Sequence, residues 1–96
     1  MAMTPEAKVK AKCRKLLDTF GAYYFFPATG GFGRSGVPDI VISYKGRFFA
    51  IECKAGNNKP TPLQLNEIKA INDSGAVAIV VNEDNIDDVA KILEKW

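Results

Sequence analysis

Apolar residues recur with helical spacing near the start of the chain. Thr4 and Pro5 form a typical helix start, an N-cap residue followed by proline, and Gly21 is a typical stop. The pattern predicts a helix over Pro5–Phe20 with one apolar stripe and a basic remainder. The stripe is Val9, Cys13, Leu16, Leu17 and Phe20, and the basic residues are Lys8, Lys10, Lys12, Arg14 and Lys15.

The middle of the chain changes to the pattern of β-strands. Ala22–Phe26 is an aromatic run that predicts a first strand, and the glycine-rich residues 28–36 that follow predict a flexible loop. Gly36–Lys54 contains two apolar segments separated by Lys45-Gly46, which predicts a β-hairpin with a two-residue turn.

The last third alternates helix and strand. Thr61-Pro62 repeats the N-cap and proline signal and predicts a helix that runs to about Asp73. Ala76–Val81 is apolar on both faces, as in a buried parallel strand, and Ile86–Trp96 has the spacing of a short amphipathic helix. The order α-β-β-β-α-β-α predicts one α/β domain over residues 1–96, with a mixed sheet flanked by helices.

The amino-acid composition limits the kinds of catalytic and metal site that the chain can form. The chain has 96 residues and no histidine, which excludes Ser-His-Asp and Cys-His nucleophile systems and histidine metal sites. Two cysteines are too few for a disulfide framework, and no apolar run is long enough for a membrane span. No signal peptide is visible, so we expect an intracellular, cytoplasmic protein that does not bind membranes. The net charge of +2 is small, so a nucleic-acid partner must be argued from local arrangement.

Ionisable residues at the open end of the hairpin form a candidate site. A Lys45-Gly46 turn pairs the strands so that Asp39 lies opposite Glu52, and strand periodicity directs Lys54 to the same face. Two carboxylates about 5 Å apart at Cβ repel each other, whereas a divalent cation between them makes the arrangement favourable. The pattern therefore indicates a site for Mg²⁺ or Mn²⁺.

The alternative is a surface hairpin end whose charges neutralise each other, and a longer turn or a bulge would shift the pairing. The apolar run Phe48–Ile51 leads directly into Glu52, which favours charges at the edge of the core. We therefore prefer the metal site.

These residues resemble a known superfamily. Pro38-Asp39 followed by Glu52-Cys53-Lys54, in this element order, resembles the PD-(D/E)xK nucleases with their restriction-endonuclease-like αβββαβ core. The glycine-rich loop before Pro38 and the downstream Gln64 are more closely similar to the VRR-NUC domain, a nuclease module of viral and repair proteins. The resemblance covers nearly the whole chain.

The resemblance implies a role for each matching residue. Asp39, Glu52 and the backbone carbonyl of Cys53 would bind Mg²⁺, with Mn²⁺ as a substitute, and the Cys53 side chain would pack in the core. Lys54 would orient the attacking water and stabilise charge on the phosphate. Gln64 would support the site, although without the resemblance it reads as a helix-surface amide.

A third acidic residue, Glu6, lies on the apolar stripe of the first helix. In the superfamily a glutamate of the first helix often joins the site. The alternative explanation is that the positive end of the helix dipole favours a carboxylate there. Both interpretations remain open from the sequence.

Basic residues near the predicted metal indicate contacts with the DNA backbone. They are Lys8, Lys12, Lys15 and Arg34. The alternative interpretation is that these residues belong to a solvated helix surface and to an ordinary loop. No base-reading motif is present, so we expect recognition of DNA structure rather than of sequence.

The expected function is Mg²⁺-dependent cleavage of DNA phosphodiesters, without a small-molecule cofactor. A homodimer resolving four-way (Holliday) junctions, with a role in DNA repair or recombination, is preferred because two related sites can cut two strands symmetrically. The alternatives are flap or general duplex nicking, a non-catalytic DNA-binding module, and a small interaction domain with incidental charges.

Overall fold

The computed structural model of the chain describes residues 3–28 and 34–96. Its helices and strands follow the predicted order, which confirms the α/β class. They are α1 (Pro5–Phe20), β1 (Tyr23–Phe25), β2 (Ile40–Tyr44), β3 (Arg47–Cys53), α2 (Pro62–Asp73), β4 (Val77–Val81) and α3 (Asp87–Glu94). Within the described ranges, no helix is long and apolar enough to cross a bilayer.

The helix ends follow the signals in the sequence. The Thr4 side chain accepts a hydrogen bond from the Ala7 N–H, and Gly21 ends α1 in the left-handed conformation. At α2, Thr61 and Gln64 form a capping box, in which each side chain bonds the backbone N–H of the other. These caps satisfy amide groups that a helix start leaves without partners.

The sheet is mixed, with strand order β1-β2-β3-β4. Strands β1, β2 and β3 are antiparallel neighbours, whereas β3 and β4 are parallel, with α2 as their crossover. The hairpin pairs Tyr44 with Arg47 and Ile40 with Ile51, which is the predicted register. Lys45 and Gly46 both have positive φ, 51° and 77°, as a two-residue type I′ turn requires.

The core lies between one sheet face and the helices α1 and α3. Alternate residues of β2 and β3 are buried there, because strand periodicity sends them to the same face. The buried cluster consists of Val9, Cys13, Leu17, Ile40, Ile42, Phe49, Ile51, Cys53, Val81, Val89 and Leu93. Helix α2 contributes no buried residue, and its Asn72 side chain instead exchanges two hydrogen bonds with the backbone of Ala78 in β4.

A close backbone contact positions the segment that enters β2. Gly36 has φ of 79°, and a Cβ at this position would lie 2.7 Å from the backbone carbon and oxygen of Leu63. Only glycine combines that conformation with that approach. The residues leading to Pro38 and Asp39 are therefore held against the start of α2.

Candidate active site

The hairpin register brings Asp39 to the open end of β3. Asp39 directly precedes β2, and one further step beyond the Ile40–Ile51 pair places it opposite Glu52. Its Oδ2 atom accepts a hydrogen bond of 2.8 Å from the Cys53 N–H. The carboxylate is thus fixed to β3, and its side chain remains 21% exposed.

Glu52 is a buried carboxylate with one oxygen unpaired. Its surface is 2% exposed, and Oε2 lies 3.4 Å from Lys54 Nζ. Among the described residues, Oε1 has no hydrogen-bond partner. Burial, and after it the nearby Asp39 charge, raise the pKa of Glu52 to about 7, although Lys54 opposes the shift. A buried, unpartnered carboxylate oxygen is costly unless a cation binds it.

Lys54 is held beside Glu52 by the sheet. It follows the last residue of β3, and its N–H donates a 2.9 Å hydrogen bond to the Val81 carbonyl. Its side chain is only 13% exposed. The sequence therefore predicted correctly that Asp39, Glu52 and Lys54 lie together, which is the geometry of the proposed site.

The side chain and the backbone of Cys53 lie in different surroundings. Its side chain is fully buried next to Cys13 of α1, and both thiols are free. The hydrogen bond between the thiols raises the pKa of Cys53 and lowers that of Cys13, while burial raises both. The side chain is thus a core residue, as expected, and only the backbone of Cys53 is available to the site.

Lys10 also reaches the Asp39 carboxylate, although the sequence did not single it out. Its Nζ lies 3.7 Å from Asp39 Oδ1 and 5.8 Å from the centre of the Phe26 ring. The only available signal was its position one helical turn after Glu6, which directs both residues to the same side of α1. Helix spacing alone could not show that this side faces the hairpin.

Gln64 and Glu6 lie in the first turns of α2 and α1, respectively. The Gln64 Oε1 atom accepts the Thr61 N–H at 2.9 Å, which is the capping-box contact. Glu6 is half-buried in the first turn of α1. Within the described residues, no three His, Cys, Asp or Glu side chains form a metal-binding group, so Glu6 does not complete such a group with Asp39 and Glu52. The roles predicted for Gln64 and Glu6 stay predictions.

The predicted DNA-binding residues lie on the surface. Lys8, Lys12 and Lys15 are exposed on α1. Arg34 Nε pairs with Glu67 Oε1 of α2 at 2.9 Å, and the Arg34 side chain is 73% exposed. Residues 29–33, the glycine-rich part of the predicted loop, lie outside the described residues.

The donor set fits a hard divalent cation. Two carboxylates are fixed side by side, one has an unpaired oxygen, and the Cys53 backbone carbonyl belongs to the same strand end. Mg²⁺ and Mn²⁺ prefer oxygen ligands, and Mg²⁺ is commonly held by one or two carboxylates with water and substrate phosphate completing the shell. Two side-chain ligands are therefore enough for a metal that also binds the substrate.

Comparisons with known proteins agree with this fold. No protein-family model matches the sequence. A curated relative, "Putative nuclease p44" of Acyrthosiphon pisum secondary endosymbiont phage 1, is 36% identical over 58 residues. The match covers 59% of this chain and 62% of that relative, so the chain spans less than two thirds of its length.

Solved structures match the whole chain. A structure described as "VRR_NUC domain" has a TM-score of 0.75 and 26% identity, and the match covers 98% of this chain and 99% of that one. A second, "VRR_NUC domain protein", has a TM-score of 0.75 at 23% identity, covering 98% and 91%, which supports the fold alone. The molecule is thus an α/β domain with the fold of these VRR_NUC structures. The resemblance read from the sequence is confirmed at the level of structure, because the neighbours that cover nearly the whole chain are VRR_NUC domain structures.

Proposed function

We propose that this protein is a Mg²⁺-dependent endonuclease that hydrolyses DNA phosphodiester bonds. The observation that carries the proposal is the buried Glu52 carboxylate, whose Oε1 is unpartnered while Oε2 faces Lys54. A purely structural hairpin gains nothing from a buried acid next to Asp39, because each such charge destabilises the other. The nuclease relatives support the same class of activity.

Each site residue has a defined task in this proposal. Asp39, Glu52 and the Cys53 carbonyl hold the cation, for which Mn²⁺ substitutes. When bound, the cation supplies Lewis-acid activation of the phosphate and of water. Lys54 directs its ammonium at the reacting phosphate, where it stabilises the charge that develops on the oxygens and orients the attacking water.

DNA binding is assigned to the exposed basic surface of α1. Lys8, Lys12 and Lys15 are exposed on the same helix as Lys10, the residue that contacts Asp39, and would bind backbone phosphates there. Arg34 lies in the segment that leads to Asp39 and adds a further phosphate contact. Phosphate contacts of this kind position a duplex without reading its sequence.

The preferred substrate is a four-way junction cut by a homodimer, in DNA repair or recombination. Exposed aromatic residues support a partner copy. Tyr23 pairs with Ser43, and Ser43 pairs with Phe48, so these side chains share a sheet face, on which Phe25 also lies. Tyr23 is 69%, Phe25 48% and Phe48 45% exposed, an apolar surface that a second copy would cover. Free buried thiols suit a reducing compartment such as the cytoplasm.

The test is cleavage of a labelled four-way junction beside matched linear duplex and flap DNA, in Mg²⁺ and in EDTA. We expect symmetric cuts in the junction that disappear with EDTA and fall at least about 100-fold in Lys54→Met. Lys69→Met is the matched control, because Lys69 is exposed on α2 and pairs with Asp73. This control should cleave like the wild type.

Other outcomes select the alternatives. Equal cleavage of junction, flap and plain duplex would favour a general nicking enzyme. Salt-dependent DNA binding without any product in Mg²⁺ or Mn²⁺ would leave a non-catalytic DNA-binding module and exclude the proposed chemistry. Loss of cleavage in Lys69→Met as well as Lys54→Met would show that the effect is not specific to the site.

A further inference from the structure

Lys10 differs from the other lysines of α1 in where its side chain ends. Lys8 and Lys12 are exposed, whereas the Lys10 side chain is 37% exposed and its Nζ reaches to 3.7 Å from Asp39 Oδ1. Residues two apart on a helix point in different directions, so neither neighbour shares this contact. The Phe26 ring, 5.8 Å from the same ammonium, borders it on another side.

The contact completes a charge-balanced set. Asp39 uses Oδ2 to accept the Cys53 N–H and presents Oδ1 to Lys10, while Glu52 presents Oε2 to Lys54. Two carboxylates thus face two ammonium groups. The atom that Lys10 approaches, Asp39 Oδ1, is the carboxylate oxygen that the backbone bond leaves free for a cation.

From this geometry we propose that Lys10 is a positioning residue that occupies Asp39 Oδ1 in the metal-free protein and must be displaced by the divalent cation. The inference rests on the proposed metal site. Once displaced, the ammonium remains tethered beside the site, where the Phe26 ring offers it a favourable surface and a DNA phosphate offers it an anion. The same lysine thereby opposes metal binding without DNA and favours the substrate once the metal is in place.

The two effects have opposite signs, which makes the proposal testable. In Lys10→Met, Mn²⁺ and Mg²⁺ should bind the DNA-free protein about fivefold more tightly, because a competing, partly exposed ion pair is removed. At saturating metal and DNA, cleavage should fall about tenfold, because a charged contact to phosphate is lost. Lys10→Arg retains the charge and should restore both values towards the wild type.

Lys8→Met is the matched control. It removes the same charge from the same helix, two residues away, without touching Asp39. It should weaken DNA binding and leave metal affinity unchanged. The measurement is isothermal titration of the DNA-free protein with MnCl₂ and with MgCl₂, repeated by Mn²⁺ electron paramagnetic resonance. Thermal unfolding confirms that each variant is folded, and Lys10→Gln replaces Lys10→Met if the latter is not.

The results separate this inference from the proposed function. If Asp39→Asn binds metal as tightly as the wild type, the metal site itself is wrong. If Asp39→Asn loses the metal while Lys10→Met matches Lys8→Met, the site stands and the role of Lys10 is overturned. Tighter metal binding in Lys10→Met alone, together with slower cleavage at saturating metal, supports the inference.

Discussion

Glu52 lies almost entirely out of water, and its ionised form is therefore penalised in the folded protein. Its pKa is raised from an ordinary value of 4.5 to about 7, by burial first and by Asp39 second, against the opposing charge of Lys54. Below pH 4.5 the acid is neutral in both folded and unfolded chains. As the pH rises towards 7, Glu52 ionises first in the unfolded chain. The unfolded state therefore becomes more stable relative to the folded state.

We therefore expect the free energy of unfolding of the metal-free protein to decrease between about pH 4.5 and pH 7 by about 3 kcal/mol from this residue. Glu52→Gln should lack that decrease, because it cannot ionise. Urea unfolding of both proteins in EDTA at pH 5 and pH 8 measures the difference. Equal pH dependence in the two proteins would contradict the prediction.

Added Mg²⁺ provides a second check on the same residue. If the cation binds Glu52 in the folded state only, Mg²⁺ should increase the stability of the wild type at pH 8, by an amount that rises with the logarithm of the Mg²⁺ concentration once this exceeds Kd. Glu52→Gln should gain much less. A similar gain in both proteins would show that the cation binds elsewhere.

At the level of single residues, the sequence predicted the hairpin part of the site and little else. Asp39, Glu52 and Lys54 follow from one local constraint, the two-residue turn, because it determines the register of every pair along the hairpin. Lys10 was not predictable. Its contact with Asp39 depends on how α1 docks on the sheet, and helix periodicity determines only which residues share a side.

Gln64 shows the reverse problem. The sequence supplied two explanations for this residue, a role in the site and a position on the helix surface. The structure adds a third explanation, which is local. Its side chain closes the capping box with Thr61. That motif, Thr followed three residues later by Gln, is a recognised start signal of helices. Local backbone chemistry therefore explains the residue without reference to the site.

At the level of secondary structure elements, Gly36 connects the loop before the site to α2. Gly36→Ala should be strongly destabilising, because φ of 79° disfavours any side chain and the new Cβ would meet the Leu63 backbone at 2.7 Å. We expect a loss of about 2 kcal/mol or more in unfolding free energy, together with reduced cleavage.

Gly46→Ala is the matched control for that substitution. Gly46 has nearly the same φ, 77°, but a Cβ there meets nothing within 4 Å. Gly46→Ala should reduce the unfolding free energy by only about 1 kcal/mol, which is the conformational cost of a side chain at positive φ, and should keep the site intact. Chemical denaturation and junction cleavage of both variants give the comparison. Equal losses would show that the contact with Leu63 is unimportant.

The elements themselves were largely predictable because their signals are local. N-caps with proline, the left-handed Gly21 and the positive-φ turn each act within a few residues. The strand order was not, because pairing between β1 and β2 and between β3 and β4 joins segments far apart in the chain. The sequence predicted a mixed sheet, but which strands lie next to each other is determined by packing between distant segments.

At the level of the whole molecule, net charge says little about DNA binding, and its distribution says more. The chain carries only two excess positive charges, yet α1 alone presents Lys8, Lys12 and Lys15 on its exposed surface. A nonspecific DNA interface releases counterions in proportion to the phosphates it neutralises. The salt dependence of binding therefore counts contacts that no static structure of the free protein contains.

Replacing Lys8, Lys12 and Lys15 together by Gln should reduce the slope of log affinity against log salt concentration by about 2.7, since each duplex phosphate contact contributes about 0.9. Fluorescence anisotropy of a labelled duplex over a KCl series, in EDTA to prevent cleavage, measures the slope. The matched control replaces Lys69, Lys91 and Lys95, which are exposed on α2 and at α3, and so makes the same change in net charge. If α1 is the interface, only the first variant changes the slope. If both triple variants change it equally, the protein is attracted to DNA through its overall charge, and the assignment of the interface to α1 is wrong.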